Sequence, residues 1–258
     1  MNRCDKMEIT QTAKENKEKI LPNQKTSLEE TDPELLEIMD NFIFDETRQH
    51  NTLTYRTTTL ITLAALITNQ SQQLYMKILE GAIDNGIKPI EIKEVLYQTI
   101  PYAGLSKVYD FIDLTNQVLD EKGVDVPLPG QSTTNRNNRK EKGYQIQTQY
   151  FGKENIDAMK ENAPKNQEHL YDFLESYCFG DFYTRTGLDD KDREIITFSI
   201  IASLRGCENQ LRGHTGGNLS VGNTKEDLIS AVTVLLPYNG FPRTLNALAI
   251  INEICDAQ

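Results

Sequence analysis

The stretch Cys207-E-N-Q-L-R-G-His214 places a thiol, a carboxamide and an imidazole within two helical turns. An imidazole ordinarily titrates near pH ~6.5 and serves as a general acid or base. A thiol serves as a nucleophile or a redox centre. On a helix, Cys207 and His214 share a face and stand roughly 10.5 Å apart along the axis. That spacing alone does not bring thiolate and imidazole within hydrogen-bonding distance, and Gln210 lies between the two. Gly213, Gly216 and Gly217 flank the histidine. Each glycine within a helix costs about 1 kcal/mol relative to alanine, so either a packed helix or a ligand is expected to come close there. Arg185, Arg193 and Arg243 carry the planar fork that suits carboxylates; each also reads as a surface or capping arginine. Tyr238 follows Pro237, with its hydroxyl turned either to a pocket or to turn packing.

These residues belong to the second copy of an internal repeat. Arg56-T-T-T-L-I-T-L-A-A-Leu66 is echoed by Arg193-E-I-I-T-F-S-I-I-A-Ser203, 137 positions later. Pro101-Tyr102-Ala103-Gly104 is echoed by Pro237-Tyr238-Asn239-Gly240, 136 positions later. One residue of slippage is therefore expected, near Gly86 and Gly222. In this register Gln70, Lys77 and Thr57 stand where the second copy has Cys207, His214 and Glu194, so the chemistry is expected in the second copy.

The elements that position these residues read as helices. Asp32-Pro33 is a helix start, with Asp as N-cap and Pro at the first helical position. The apolar runs after Arg56 and Arg193 are too long for ordinary strands and read as buried helices. Leu74, Ile78, Leu79, Ala82 and Ile83 form a helical stripe, stopped at Asn85-Gly86. Further helices are expected from Lys88-Pro89-x-Glu91 to Ile100, ended by Pro101, from Ser106 to Leu119, around Ile156–Met159 and over Asn166–Tyr177. Cys178 to Leu188 reads as a turn. Helices follow over Glu208–Leu219, Lys225–Leu236 and Arg243–Ile254. The fold class expected is all-α, with a polar N-terminal arm (1–31), a first unit (32–120), a polar linker (121–145) and a second unit (146–258).

Composition narrows the partners. The net charge of −11 argues against nucleic acid, whose phosphates would be repelled. An anionic substrate would need a locally basic pocket. Cys4, Cys178, Cys207 and Cys255 form no C-x-x-C pair, so neither a zinc ribbon nor a thioredoxin motif is supported. No metal or cofactor is expected. No apolar stretch reaches the ~18 residues of a membrane span, and the first twenty residues lack a signal-peptide core. A cytoplasmic protein with reduced thiols is expected.

The segment Asp192-R-E-I-I-T-F-S-I-I-A-S-L-R-G-C-E-N-Q-L-R-G-His214, with Gly222-Asn223 and Pro237-Y-N-G-F-P-R-T-L-N-Ala247, closely resembles the carboxymuconolactone decarboxylase family. The lead-in F-G-D-F-Y-T-R-T-G-Leu188 resembles it too, and the first copy matches more loosely from about Phe42 to Leu119. The resemblance implies a tandem pair of all-helical units that assemble in rings, here a trimer forming a pseudo-hexamer. It implies decarboxylation of, or proton transfer on, a small carboxylated lactone or related acid. His214 would be the general acid/base, Glu194 its orienting or relaying partner, and Arg185 and Arg193 the holders of carboxylates. Gln210 and Tyr238 would complete the substrate contacts. The related alkylhydroperoxidase D branch uses a C-x-x-C pair before its histidine. Its second cysteine is Gln210 here, so Cys207 lacks an adjacent resolving thiol, and a thiol-dependent peroxide reductase (peroxiredoxin activity) is the alternative reading. A non-catalytic oligomeric scaffold is the third.

Overall fold

The two apolar runs fold as the central helices of the molecule. In the computed structural model, which describes residues 8–22 and 24–257, they are Tyr55–Thr68 and Asp190–Ser203. Every residue from Thr58 to Thr68 and from Asp192 to Ser203 is buried, as expected of helices that are not amphipathic. Their hydroxyls are satisfied locally: Thr62, Thr68, Ser199 and Ser203 each donate to the carbonyl four residues back.

In chain order the helices are α1 (Gln11–Ile20), α2 (Leu28–Thr31), α3 (Pro33–Phe44), α4 (Tyr55–Thr68), α5 (Gln72–Asp84), α6 (Pro89–Ala103) and α7 (Leu105–Glu121). Then come α8 (Arg139–Phe151), α9 (Lys153–Glu161), α10 (Glu168–Phe173), α11 (Asp190–Ser203), α12 (Glu208–Ser220), α13 (Lys225–Asn239) and α14 (Phe241–Cys255). Among the described residues there is no strand, and the fold is all-α. No helix among them is long and apolar enough to cross a membrane.

The repeats interlock. α4 and α11 pack on each other, α6 of the first unit packs on α11, and α13 of the second packs on α4. Each unit's P-Y-x-G helix thus bridges the two, since α6 also packs on its own α4 and α13 on its own α11. A covering helix completes each unit: α1 lies on α3 and α5, and α8 lies on α12. Gly81 and Gly217 mark the two close approaches, because a Cβ would overlap the Ile20 carbonyl at one and Glu194 and Phe151 at the other. The polar arm therefore contains a docked helix, with Ala13 and Ile20 buried. The expected linker likewise contains the start of α8. Cys4 lies outside the described residues.

Two local expectations differ from the structure. The segment expected to be a helix end and a turn is a π-helix over Leu174–Tyr183. Its wider winding turns Cys178, Phe179 and Tyr183 inward. The slippage between repeats also lies elsewhere. The capping residues Thr54 and Asp189 are 135 positions apart, whereas the left-handed residues Gln70 and Gly206, Gly86 and Gly222, and Gly104 and Gly240 are 136 apart. The extra residue sits in the connection before α12, which has four residues (204–207) against three (69–71). In this register Ile78, not Lys77, occupies the place of His214, and Thr59, not Thr57, that of Glu194.

Candidate active site

His214 and Glu194 meet where α12 crosses α11. Nδ1 of His214 lies 3.0 Å from Oε2 and 3.2 Å from Oε1 of Glu194. An ionised carboxylate only accepts, so Nδ1 carries the proton and Nε2 is the nitrogen left for chemistry. Glu194 is fully buried, while the imidazole keeps 11% of its side-chain surface. Asn218 ties the two helices together here, donating to the carbonyls of Glu194 (3.0 Å) and His214 (2.7 Å). Gly217 gives Glu194 its room. Above Gly213 and Gly216, by contrast, a Cβ would meet nothing within 4 Å. Packing within this chain does not require those two glycines.

The first unit supplies the partner of Nε2. The Tyr102 hydroxyl, at the end of α6, lies 3.3 Å from it. Tyr102 also bonds Tyr183 at 2.7 Å. Tyr183 donates to Oε1 of Glu194 at 2.9 Å and meets the Thr197 hydroxyl at 2.9 Å. The Cys178 thiol points to the Tyr102 oxygen at 3.9 Å. The rings of Tyr102 and Phe151 stand edge-on to the imidazole, with centroids 5.3 and 5.2 Å away. Burial holds Tyr102 and Tyr183 well above the usual phenol range, and the nearby Glu194 carboxylate adds to the rise. Burial pushes the Cys178 thiol up to about 12, so it is a protonated donor rather than a nucleophile.

The network accommodates either charge state of His214. When Nε2 carries a proton, it donates to the Tyr102 oxygen, and Tyr102 donates to Tyr183. When Nε2 is bare, the Tyr102 hydroxyl rotates to donate to it and gives up its bond to Tyr183, whose own proton stays with Glu194. One rotor separates the two states, and Glu194 keeps its bonds from Nδ1 and Tyr183 in both.

The arginines do something else. Arg185 and Arg193 converge on one carboxylate, that of Glu94 in α6. Arg193 is only 1% exposed and also donates to Gln98 and to the carbonyls of Arg185 and Thr186. Arg185 lies over the Tyr97 ring. The expectation that they hold a substrate carboxylate meets a physical obstacle: the carboxylate they hold is the protein's own, and they clamp the first unit to the second.

Cys207, Gln210 and Tyr238 do not join His214. Cys207 precedes α12 as its N-cap and lines a recess with Arg243 and Leu211, two helical turns from the imidazole. Gln210 is exposed. Tyr238, near the end of α13, faces the first unit, its hydroxyl pushed up to about 12 by burial against the opposing charge of Arg48. The described cysteines Cys178, Cys207 and Cys255 are all free. Among the described residues no group of three or more His, Cys, Asp or Glu is placed to hold a metal ion. The sequence reading missed Tyr102, Tyr183, Thr197 and Phe151. Tyr102 had a signal, as the repeat partner of Tyr238, but the crossing of α6 into the other unit is a tertiary fact.

The model of the carboxymuconolactone decarboxylase family matches the chain twice, over residues 33–117 and 168–253. A 4-carboxymuconolactone decarboxylase of Acinetobacter baylyi is 24% identical over 120 residues, which are 46% of this chain and 89% of that protein. A nitrosuccinic acid decarboxylase of Metarhizium robertsii is 24% identical over 120 residues, 45% of this chain and 83% of that protein. Each relative is thus about half as long as this chain.

Proposed function

On the premise that the chain belongs to the carboxymuconolactone decarboxylase family, we propose that it is a carboxy-lyase with one active site per chain, in which His214 protonates on carbon the delocalised anion that loss of carbon dioxide leaves. The observation that carries this reading is the buried Glu194–His214 pair with Nε2 facing Tyr102. Loss of carbon dioxide breaks a carbon–carbon bond and leaves its electron pair on the substrate. A neighbouring acceptor must hold that pair. The lactone conjugation in the substrate named for one relative and the nitro group in that named for the other both meet this need. The substrate class proposed is therefore a small carboxylic acid with a carbonyl-type or nitro acceptor conjugated with the carbon that the carboxylate leaves.

In this mechanism Nε2–H delivers the proton to carbon, while Glu194 holds Nδ1 and stabilises the charged ring. Tyr102 then offers its hydroxyl to the bare nitrogen, and a proton from solvent resets the site. The first unit has Ile78 and Thr59 at the corresponding places, so it supplies Tyr102 rather than a second acid. No observation favours the thiol-dependent peroxide reductase: Cys207 lies away from His214 and Cys178 is buried.

The test is decarboxylation of 4-carboxymuconolactone and of nitrosuccinate, followed by carbon dioxide release. His214→Gln is expected to lower kcat by on the order of a hundredfold or more with an unchanged circular dichroism spectrum. An unchanged rate, or no turnover of either acid by the wild type, overturns the reading. A homo-oligomer, a trimer forming a pseudo-hexameric ring, is also proposed. Light scattering is expected to give three times the 29.4 kDa chain mass, and a monomer mass refutes it.

A further inference from the structure

The starts of α7 and α14, equivalent helices of the two units, open onto one cavity of about 450 Å³. Lys107, Arg205 and Arg243 line it together with Asn69, Gln70 and Ser203, and no acidic residue does. Lys107 and Arg243 are repeat partners, 136 positions apart, and Arg205 lies in the longer connection that only the second unit has. Among the described residues none of the three cations has an ion-pair partner. Acidic residues outnumber basic ones 38 to 27, so three unpaired cations around one cavity stand against the charge of the whole.

The cavity is also built. Nη1 of Arg243 donates to Asn69 Oδ1 at 2.7 Å and to the Ser203 carbonyl at 2.6 Å. Asn69 is held in turn by Asn239 at 2.8 Å. This fixes the guanidinium and leaves its remaining N–H groups without protein acceptors. Gln70 takes a left-handed conformation, φ 61°, where the other unit has Gly206 at φ 71°. Its amide donates to the Lys107 carbonyl at 2.7 Å and pins that turn. The recess that Cys207 and Glu208 line adjoins the cavity, with Leu204, Arg205 and Arg243 forming the wall between them.

We propose that this cavity binds a small polyanion, a phosphate or dicarboxylate carrying at least two negative charges, at a site distinct from that of His214. A fixed guanidinium fork with two further cations matches such a group in charge and geometry. The volume suits a small molecule rather than a polymer. The bound anion bridges the two units, since Lys107 comes from one and Arg205 and Arg243 from the other.

Calorimetric titration of the full chain at constant ionic strength tests this, with inorganic pyrophosphate and succinate as probes and chloride as the monovalent control. Saturable one-to-one binding of one probe is expected, and the pair of probes tells phosphate from carboxylate chemistry. Arg205→Gln and Lys107→Gln should each weaken it about fivefold without changing the unliganded melting temperature. Arg243→Lys, which keeps the charge and loses the fork, should weaken it as well. No saturable binding of either probe, or equal weakening by the remote Lys165→Gln, overturns the proposal. The readout is binding, so the result is independent of whether the His214 site decarboxylates.

Discussion

The Tyr102 hydroxyl lies 3.3 Å from His214 Nε2, the longest oxygen–nitrogen contact of its cluster, while its bond to Tyr183 is 2.7 Å. A side chain placed this way adjusts to the charge on the imidazole rather than holding it rigidly. Tyr102→Phe removes the rotor and leaves Glu194 with both His214 and Tyr183. The expected result is a fall in kcat of about tenfold with KM little changed. A purely structural role would leave kcat alone and lower the melting temperature instead. Cys178 touches the same hydroxyl yet is shielded, so iodoacetamide at neutral pH is expected to modify the half-exposed Cys207 long before Cys178, as peptide mass mapping would show.

Helices meet through two kinds of charge. Glu94, on α6, faces Arg185 and Arg193 with almost no solvent. Taking away one partner of a buried pair leaves an uncompensated charge and costs about 3–5 kcal/mol. Glu94→Gln should therefore lower the denaturation midpoint markedly, whereas Arg212→Ala, which removes an exposed pair with Glu253, should leave it unchanged. Across the π-helix and α6, burial raises Cys178, Tyr102 and Tyr183 above their ordinary values. The folded state then holds protons that the unfolded chain releases first. The stability this contributes is complete below the ordinary thiol value and is lost as pH rises from ~8.5 towards about 12. The melting temperature is expected to fall over that window. Cys178→Ala should remove the early part of the fall, and a pH-independent melt would refute the assignment.

At the scale of the molecule, the duplication is an interlock. α6 crosses to α11 and α13 crosses to α4, so neither unit is complete alone. Residues 122–258 expressed separately keep His214 and Glu194 but lack Tyr102, Glu94 and Gln98. That fragment is expected to be inactive and to regain activity when co-expressed with residues 1–121. An active lone fragment would contradict the interlocked site.

Much of this was legible in the residues. The buried runs after Arg56 and Arg193 announce their helices, because length and unbroken apolarity leave few alternatives. His214 and Glu194 are visible through the family resemblance, and their absence from the first copy marks the second as the unit proposed to act. Local spacing could not show the register slip before α12, since a single extra loop residue leaves the helical pattern on either side intact. Nor could it show that the P-Y-x-G helices reach across to the other unit. Such crossing depends on how two buried helices pack, a contact between residues some hundred positions apart such as Arg193 and Gln98. For the same reason the arginines read as substrate ligands in one dimension: their carboxylate, Glu94, belongs to the other half of the chain and reaches them only when the chain folds.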